Sequence, residues 1–316
     1  MNFTTKIPIA KSNAPIDYSS RIVSLGSCFA ENMGEKFDFF KFQNTTNPFG
    51  IIFNPISIET IIERAINLNY FTEDDLFFHN ELWHCYEVHS DLSRENKEDF
   101  LLNLNQILKE TNQQLTSATH IIITYGTSWV YKLKSSGTIV ANCHKVPQNQ
   151  FDKEILSVEE IEKCLQNNLD LIQKANPNCN VIFTISPVRH LKDGFVENQR
   201  SKAHLITAVQ KIINYPLSII HYFPSFEIQM DELRDYRFYA QDMLHPNSVA
   251  IDYIWERFCE STVAEEANPI MQEVASIQKG MAHRPFHPQS ISHTHFLQNL
   301  SEKAAQLKVR FPFMNF

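Results

Sequence analysis

A chain of 316 residues with 43% apolar side chains can bury a sizeable core; it is rich in Phe, with 24, and poor in Gly, with 7. Its net charge is −8, from 28 Lys and Arg against 36 Asp and Glu, and no basic run stands out, which excludes a nucleic-acid-binding surface. No window of about 18 apolar residues exists to span a membrane, and the first twenty residues lack the apolar run of roughly 7–15 residues that a secretory signal needs.

In chain order, the first element is a short apolar strand, Ile22–Leu25, followed by helices over Phe29–Phe39 and Pro55–Asn67. The aromatic stretch Phe77–His89 alternates like a strand pair, and a helix follows over Glu95–Glu110. His120–Tyr125 reads as a second strand, and Trp129–Asn142 as a hairpin turning through Ser135-Ser136-Gly137. A helix over Val158–Ala175, a strand over Asn180–Ile185, a helix over Glu197–Asn214, a strand over Pro216–Tyr222 and a helix over Val249–Val263 complete the alternation. Apolar strands alternating with helices predict an α/β fold with a mostly parallel sheet of about five strands in three α/β/α layers. Their continuous apolarity fits strands covered on both faces. No linker is visible, so residues 1–263 are expected to form one domain. Residues 264–316, helical with a Pro/His-rich break (HRPFHP), are expected to pack on it as an extension, because about 50 residues make a marginal domain alone. The six cysteines (28, 85, 143, 164, 179 and 259) form no CxxC pair, which excludes a zinc knuckle and fits a reduced, cytoplasmic chain.

Two segments carry the elements of chemistry. In Ser24-Leu25-Gly26-Ser27-Cys28-Phe29, a strand runs into Gly-Ser-Cys and then into a helix. Such a junction lies at the carboxyl end of a strand, where open α/β sheets bind ligands. The unpaired N–H groups of a first helical turn stabilise an anion there, and a Cys pKa can fall. Ser27 as an N-cap beside a buried, inert Cys28 is the bland alternative. In Asp242-Met243-Leu244-His245-Pro246-Asn247, Pro246 holds His245 extended, and Asn247 is a natural N-cap for the next helix. A turn brings Asp242 to His245 Nδ1 and leaves Nε2 as a general base.

Gly26-Ser27-Cys28-Phe29-Ala30 is the motif that names the GSCFA family of bacterial proteins, and the chain resembles that family from about residue 20 to its end. Similar stretches are Asn47–Ile51 (NPFGI), Gly126–Tyr131 (GTSWVY), Asn142–Pro147 (NCHKVP), Ser186–His190 (SPVRH), Asp242–Pro246 (DMLHP) and His283–Pro285 (HRP). The order of blocks is that of the SGNH (GDSL-type) hydrolases. The resemblance implies that fold, a catalytic Cys28 or Ser27 with His245 and Asp242, an oxyanion hole using the Gly50 N–H, and no cofactor. Ser128 falls where an oxyanion-binding Asn is expected, with Asn142 or His144 as replacements for that donor. The implied substrate is a small-molecule, carbohydrate or lipid ester. Arg189, just past the strand ending at Ile185, is placed to bind a substrate carboxylate or phosphate. His84, His89, His144 and His190 lack short ligand spacing, so no metal is expected.

Overall fold

The computed structural model describes residues 4–213 and 219–316. Strand β1 (Arg21–Gly26) runs straight into helix α1 (Cys28–Phe39), which returns the chain to β2 (Gln43–Thr46). Helix α2 (Pro55–Asn67), a hairpin of β3 (Leu76–His79) and β4 (Leu82–Cys85), and α3 (Lys97–Ser117) lead to β5 (His120–Tyr125). Strands β6 (Trp129–Leu133), β7 (Ile139–Val140) and β8 (Phe151–Ile155) form a small antiparallel sheet before α4 (Val158–Ala175) and β9 (Asn180–Ile185). Then come α5 (Phe195–Ile213), β10 (Ile220–Phe223), a short α6 (Ser225–Glu227), α7 (Ser248–Thr262), α8 (Asn268–Met281) and α9 (Ile291–Arg310).

Five strands form one all-parallel sheet in the order β2-β1-β5-β9-β10. This is the doubly wound order of flavodoxin-like sheets, and its direction reverses between β1 and β5. The side chains of β5 explain its unbroken apolar run. Ile121 and Ile123 enter one core with Ile58 and Ile62 of α2, Leu104 of α3, Leu165 of α4 and Leu205 of α5. Ile122, on the opposite face, enters another with Phe29 and Phe37 of α1 and Ile254 and Phe258 of α7. Successive residues point to opposite faces, so a strand covered twice needs no polar alternation. The chain is thus an α/β/α sandwich.

Among the described residues, each core buries five Phe, and in the second they gather around one ring. Phe37 stands edge-on to Trp255 at 5.0 Å, to Phe42 at 5.7 Å and to Phe258 at 5.8 Å between centroids. Met271, Val274 and Ile277 of α8 and Leu307 of α9 join the same core, so the last two helices pack on the sandwich.

Four of the sheet strands lie where apolar runs predict them. β2 (QNTT) and β8 (FDKEI) were not foreseen, because edge strands carry polar side chains and lack the apolar signal. α3 extends beyond the expected Glu110 to Ser117. The start of the expected Pro216–Tyr222 strand and Asn214 lie outside the described residues; β10 begins at Ile220. Among the described residues, no helix is long and apolar enough to cross a membrane.

Candidate functional site

The chain leaves β1 through a tight turn that only glycine permits. Gly26 has φ 142°, and a Cβ there would lie 2.2 Å from the Thr124 carbonyl oxygen of neighbouring β5. The Ser27 N–H donates to that same oxygen at 3.2 Å. Ser27 then caps α1, its Oγ accepting from the Phe29 N–H at 3.2 Å, and it is only 1% exposed. Cys28, the first residue of α1, is partly exposed. Asn47, just past β2, braces the turn: its N–H donates to the Ser24 carbonyl at 2.9 Å, and its Oδ1 accepts from the Gly26 N–H at 2.8 Å. That leaves the buried Asn47 Nδ2 without a partner.

The expectation that the helix N-terminus would lower the Cys28 pKa is not met. Burial pushes the thiol up, and Glu31 adds to it; the Lys202 charge and the backbone N–H groups of Cys28 and Phe29 pull it down without prevailing.

Asp242 and His245 form a pair of their own on the loop before α7. Asp242 Oδ1 accepts from the N–H groups of Leu244 at 2.9 Å and His245 at 3.0 Å, while Oδ2 lies 2.6 Å from His245 Nδ1. Those two backbone donors and then the imidazole hold the carboxylate down to about 2. Nδ1 therefore donates to the carboxylate, and in the neutral ring it is Nε2 that has the lone pair. Met243 takes the left-handed conformation (φ 59°) that closes the turn, and Asn247 caps α7 by accepting from the Ala250 N–H. The Arg189 N–H donates to the Leu244 carbonyl at 3.2 Å, tying this loop to the one after β9.

One residue here, Lys202, gives no sign of itself in the sequence, and a second, His190, ends the SPVRH block just past β9. Lys202, inside α5, is 1% exposed, and its Nζ donates to the Gly126 and Ser186 carbonyls at 2.7 Å each. Burial pushes this ammonium down to about 7, against the opposing pull of Cys28 and Glu227. His190 stacks on Phe53 at 5.3 Å, with a buried Nε2 that has no partner. Burial, followed by the charges of Lys202 and His245, takes its pKa down to about 3, so it is neutral.

Other expected positions lie elsewhere. The Gly50 N–H donates to the Asn47 carbonyl at 2.7 Å, so it is committed to a turn and is no oxyanion donor. Ser128 is fully buried; its N–H donates to Ser201 Oγ at 2.8 Å and its hydroxyl to the Ser201 carbonyl at 3.3 Å, so it cannot stand in for the missing Asn. Asn142 Oδ1 accepts from the His144 N–H, and buried His144 places Nε2 2.8 Å from the Cys85 carbonyl. These contacts fasten both residues to the small hairpins. Arg189 lays its guanidinium over the rings of Tyr239, at 4.2 Å, and Tyr236, at 5.2 Å. Among the described residues, no group of three or more His, Cys, Asp or Glu is placed to hold a metal.

Comparison with known proteins agrees with this architecture at the family level. No curated protein matches the chain. The model of the GSCFA family matches residues 21–258, and that of the GSCFA domain protein C-terminal domain matches residues 274–316. The first match alone spans most of the sequence, from β1 into α7, and takes in Cys28, Lys202 and His245: the chain belongs to the GSCFA family.

Proposed function

We propose that the protein is an SGNH-like hydrolase that cleaves or transfers an acyl group of a small-molecule, carbohydrate or lipid ester through a covalent acyl-enzyme on Cys28. The observation that carries this reading is the 2.6 Å hydrogen bond from His245 to Asp242, which leaves Nε2 available as the base. The choice of Cys28 over Ser27 is supported by the Ser27 hydroxyl, which is buried and already caps α1. Gly50 and Ser128 being committed elsewhere, the donors to the oxyanion are the Cys28 N–H and the unpartnered amide of Asn47. Six unpaired cysteines favour a reducing compartment, the cytoplasm.

The test is Cys28→Ala, assayed with short acyl esters and with iodoacetamide labelling mapped by mass spectrometry. Turnover and labelling of that peptide should both vanish. Full turnover in Cys28→Ala with loss in Ser27→Ala would move the nucleophile to Ser27. The raised Cys28 pKa favours a second reading, in which the fold binds a ligand without turning it over. Absence of turnover across a panel of esters, with retained ligand binding, would select it.

A further inference from the structure

Three strand ends lie level at the edge of the sheet. Gly26 is paired with Thr124, and Tyr125 with Ile185. One residue beyond the second pair, Gly126 and Ser186 stand in a row at the ends of β5 and β9, and Cys28 lies two residues past Gly26, beyond a turn whose Ser27 N–H donates to the Thr124 carbonyl at 3.2 Å. Lys202 reaches into this row from α5, bonded to the Gly126 and Ser186 carbonyls. A neutral amine has two N–H groups and one lone pair, so both hydrogens are spent on those carbonyls. The remaining direction is left to accept a proton. Cys28 and Lys202 each move the other's proton affinity, in the sense expected of a thiolate beside an ammonium. The other groups that face Lys202 are the neutral His190, the Phe226 ring at 5.4 Å, and Glu227. Burial raises the pKa of Glu227, and Tyr222 donates a hydrogen bond to it at 2.6 Å.

We propose that Lys202 is the base that takes the thiol proton of Cys28, so that the nucleophile is a Cys–Lys pair and His245 is kept for the water that resolves the acyl-enzyme. This deepens the reading of Cys28 as nucleophile and rests on it. The S–H bond breaks as an N–H bond forms on Nζ, and the new ammonium points two hydrogens at the carbonyls and the third at the thiolate. The thiolate adds to the ester carbonyl, and the proton on Nζ leaves with the alkoxide as the thioester forms. In the second half, His245 takes a proton from the attacking water and returns it to the departing thiolate.

The test measures the rate of iodoacetamide alkylation of Cys28 against pH, without any ester, in the wild type and in Lys202→Gln. The Gln amide keeps two N–H donors but cannot accept the proton. Alkylation at pH 7 should fall at least about tenfold, and the difference should close near pH 10, where the thiol ionises unaided. Equal rates at pH 7 in a folded Lys202→Gln, or no alkylation of wild-type Cys28 at any pH, would overturn the proposal. Should Lys202→Gln not fold, the wild-type lysine is followed directly by titration of its 13Cε resonance. Its midpoint should move to lower pH in Cys28→Ser, and an unmoved midpoint would overturn the pair. Because alkylation needs no substrate, a failure of ester turnover leaves this result standing, and the two readings fail separately.

Discussion

Asp242 uses one oxygen to fix the backbone of its own loop and the other to hold the imidazole, so the two functions can be separated by substitution. Asp242→Asn keeps the acceptor for the two backbone N–H groups but no longer selects the His245 tautomer. Ester turnover should drop by about a hundredfold or more, with the thermal midpoint little changed because this pair is nearly half exposed. Asn47→Asp is the matching test of the oxyanion donor. It retains the acceptor for the Gly26 N–H and removes the amide, and turnover should fall by about 10²–10³. Unchanged turnover would return the search for that donor to the backbone. Ser27→Ala should instead act on folding, lowering stability by about 0.5–2 kcal/mol in denaturant melts. The Asp242–His245 turn was legible in the sequence because it is local: three residues, a proline and a cap determine it. Lys202 was not, because its surroundings along the chain (ENQRSKAHLI) read as a solvated helix face, and only the packing of α5 against two strand ends makes it a buried amine.

At the level of elements, α1 approaches β2 more closely than a side chain allows. A Cβ on Gly34 would lie 2.4 Å from Thr46 Oγ1, so a glycine that looks like a weak point in the helix is a packing requirement. Gly34→Val should lower stability by about 1–3 kcal/mol, read from urea midpoints. The apolar strands were visible in the sequence because each fills two cores, whereas polar β2 is defined by its pairing to β1 and by this contact, neither of which is local. The hairpins contribute a dependence on pH. Burial takes His144 down to about 4 from an ordinary value near 6.5. Its folded pKa is depressed, so the unfolded chain binds the extra proton. Stability is fully present above about pH 6.5 and is lost progressively as pH falls to about 4, by on the order of 3 kcal/mol. His144→Gln, whose amide reaches as far as the imidazole Nε2 and can donate to the Cys85 carbonyl, should flatten that slope in denaturation curves taken at pH 7 and pH 4.

Over the whole molecule, the sandwich is completed by its two chain ends. The Ser12 N–H donates to the Ser261 carbonyl at 2.7 Å, and Ile16 pairs with Val263 beside the start of α8. Removing residues 264–316 would uncover the sites of Met271, Val274, Ile277, Leu307 and Met314. At about 1.5–3 kcal/mol for each buried side chain, the loss rivals the ~5–15 kcal/mol that holds a typical protein folded. The truncated chain should therefore show no cooperative thermal transition, and it should aggregate in gel filtration. A cooperative melt of that fragment would show that the sandwich stands without its last helices.

That closure has a consequence for how the protein is made. β1 is the second strand of the sheet in space and the first to be synthesised, yet one of its faces is covered by helices made last. The Ile7 carbonyl waits for an arginine donor 250 residues further along the chain. At ~5–20 residues per second, Ile22, Phe29 and Phe37 stay uncovered for roughly 10–50 s while the ribosome works toward α7. A nascent chain with its aromatic face bare for so long is a natural client for chaperones that bind at the exit tunnel. Its yield in the cell should depend on them more than the stability of the finished fold suggests.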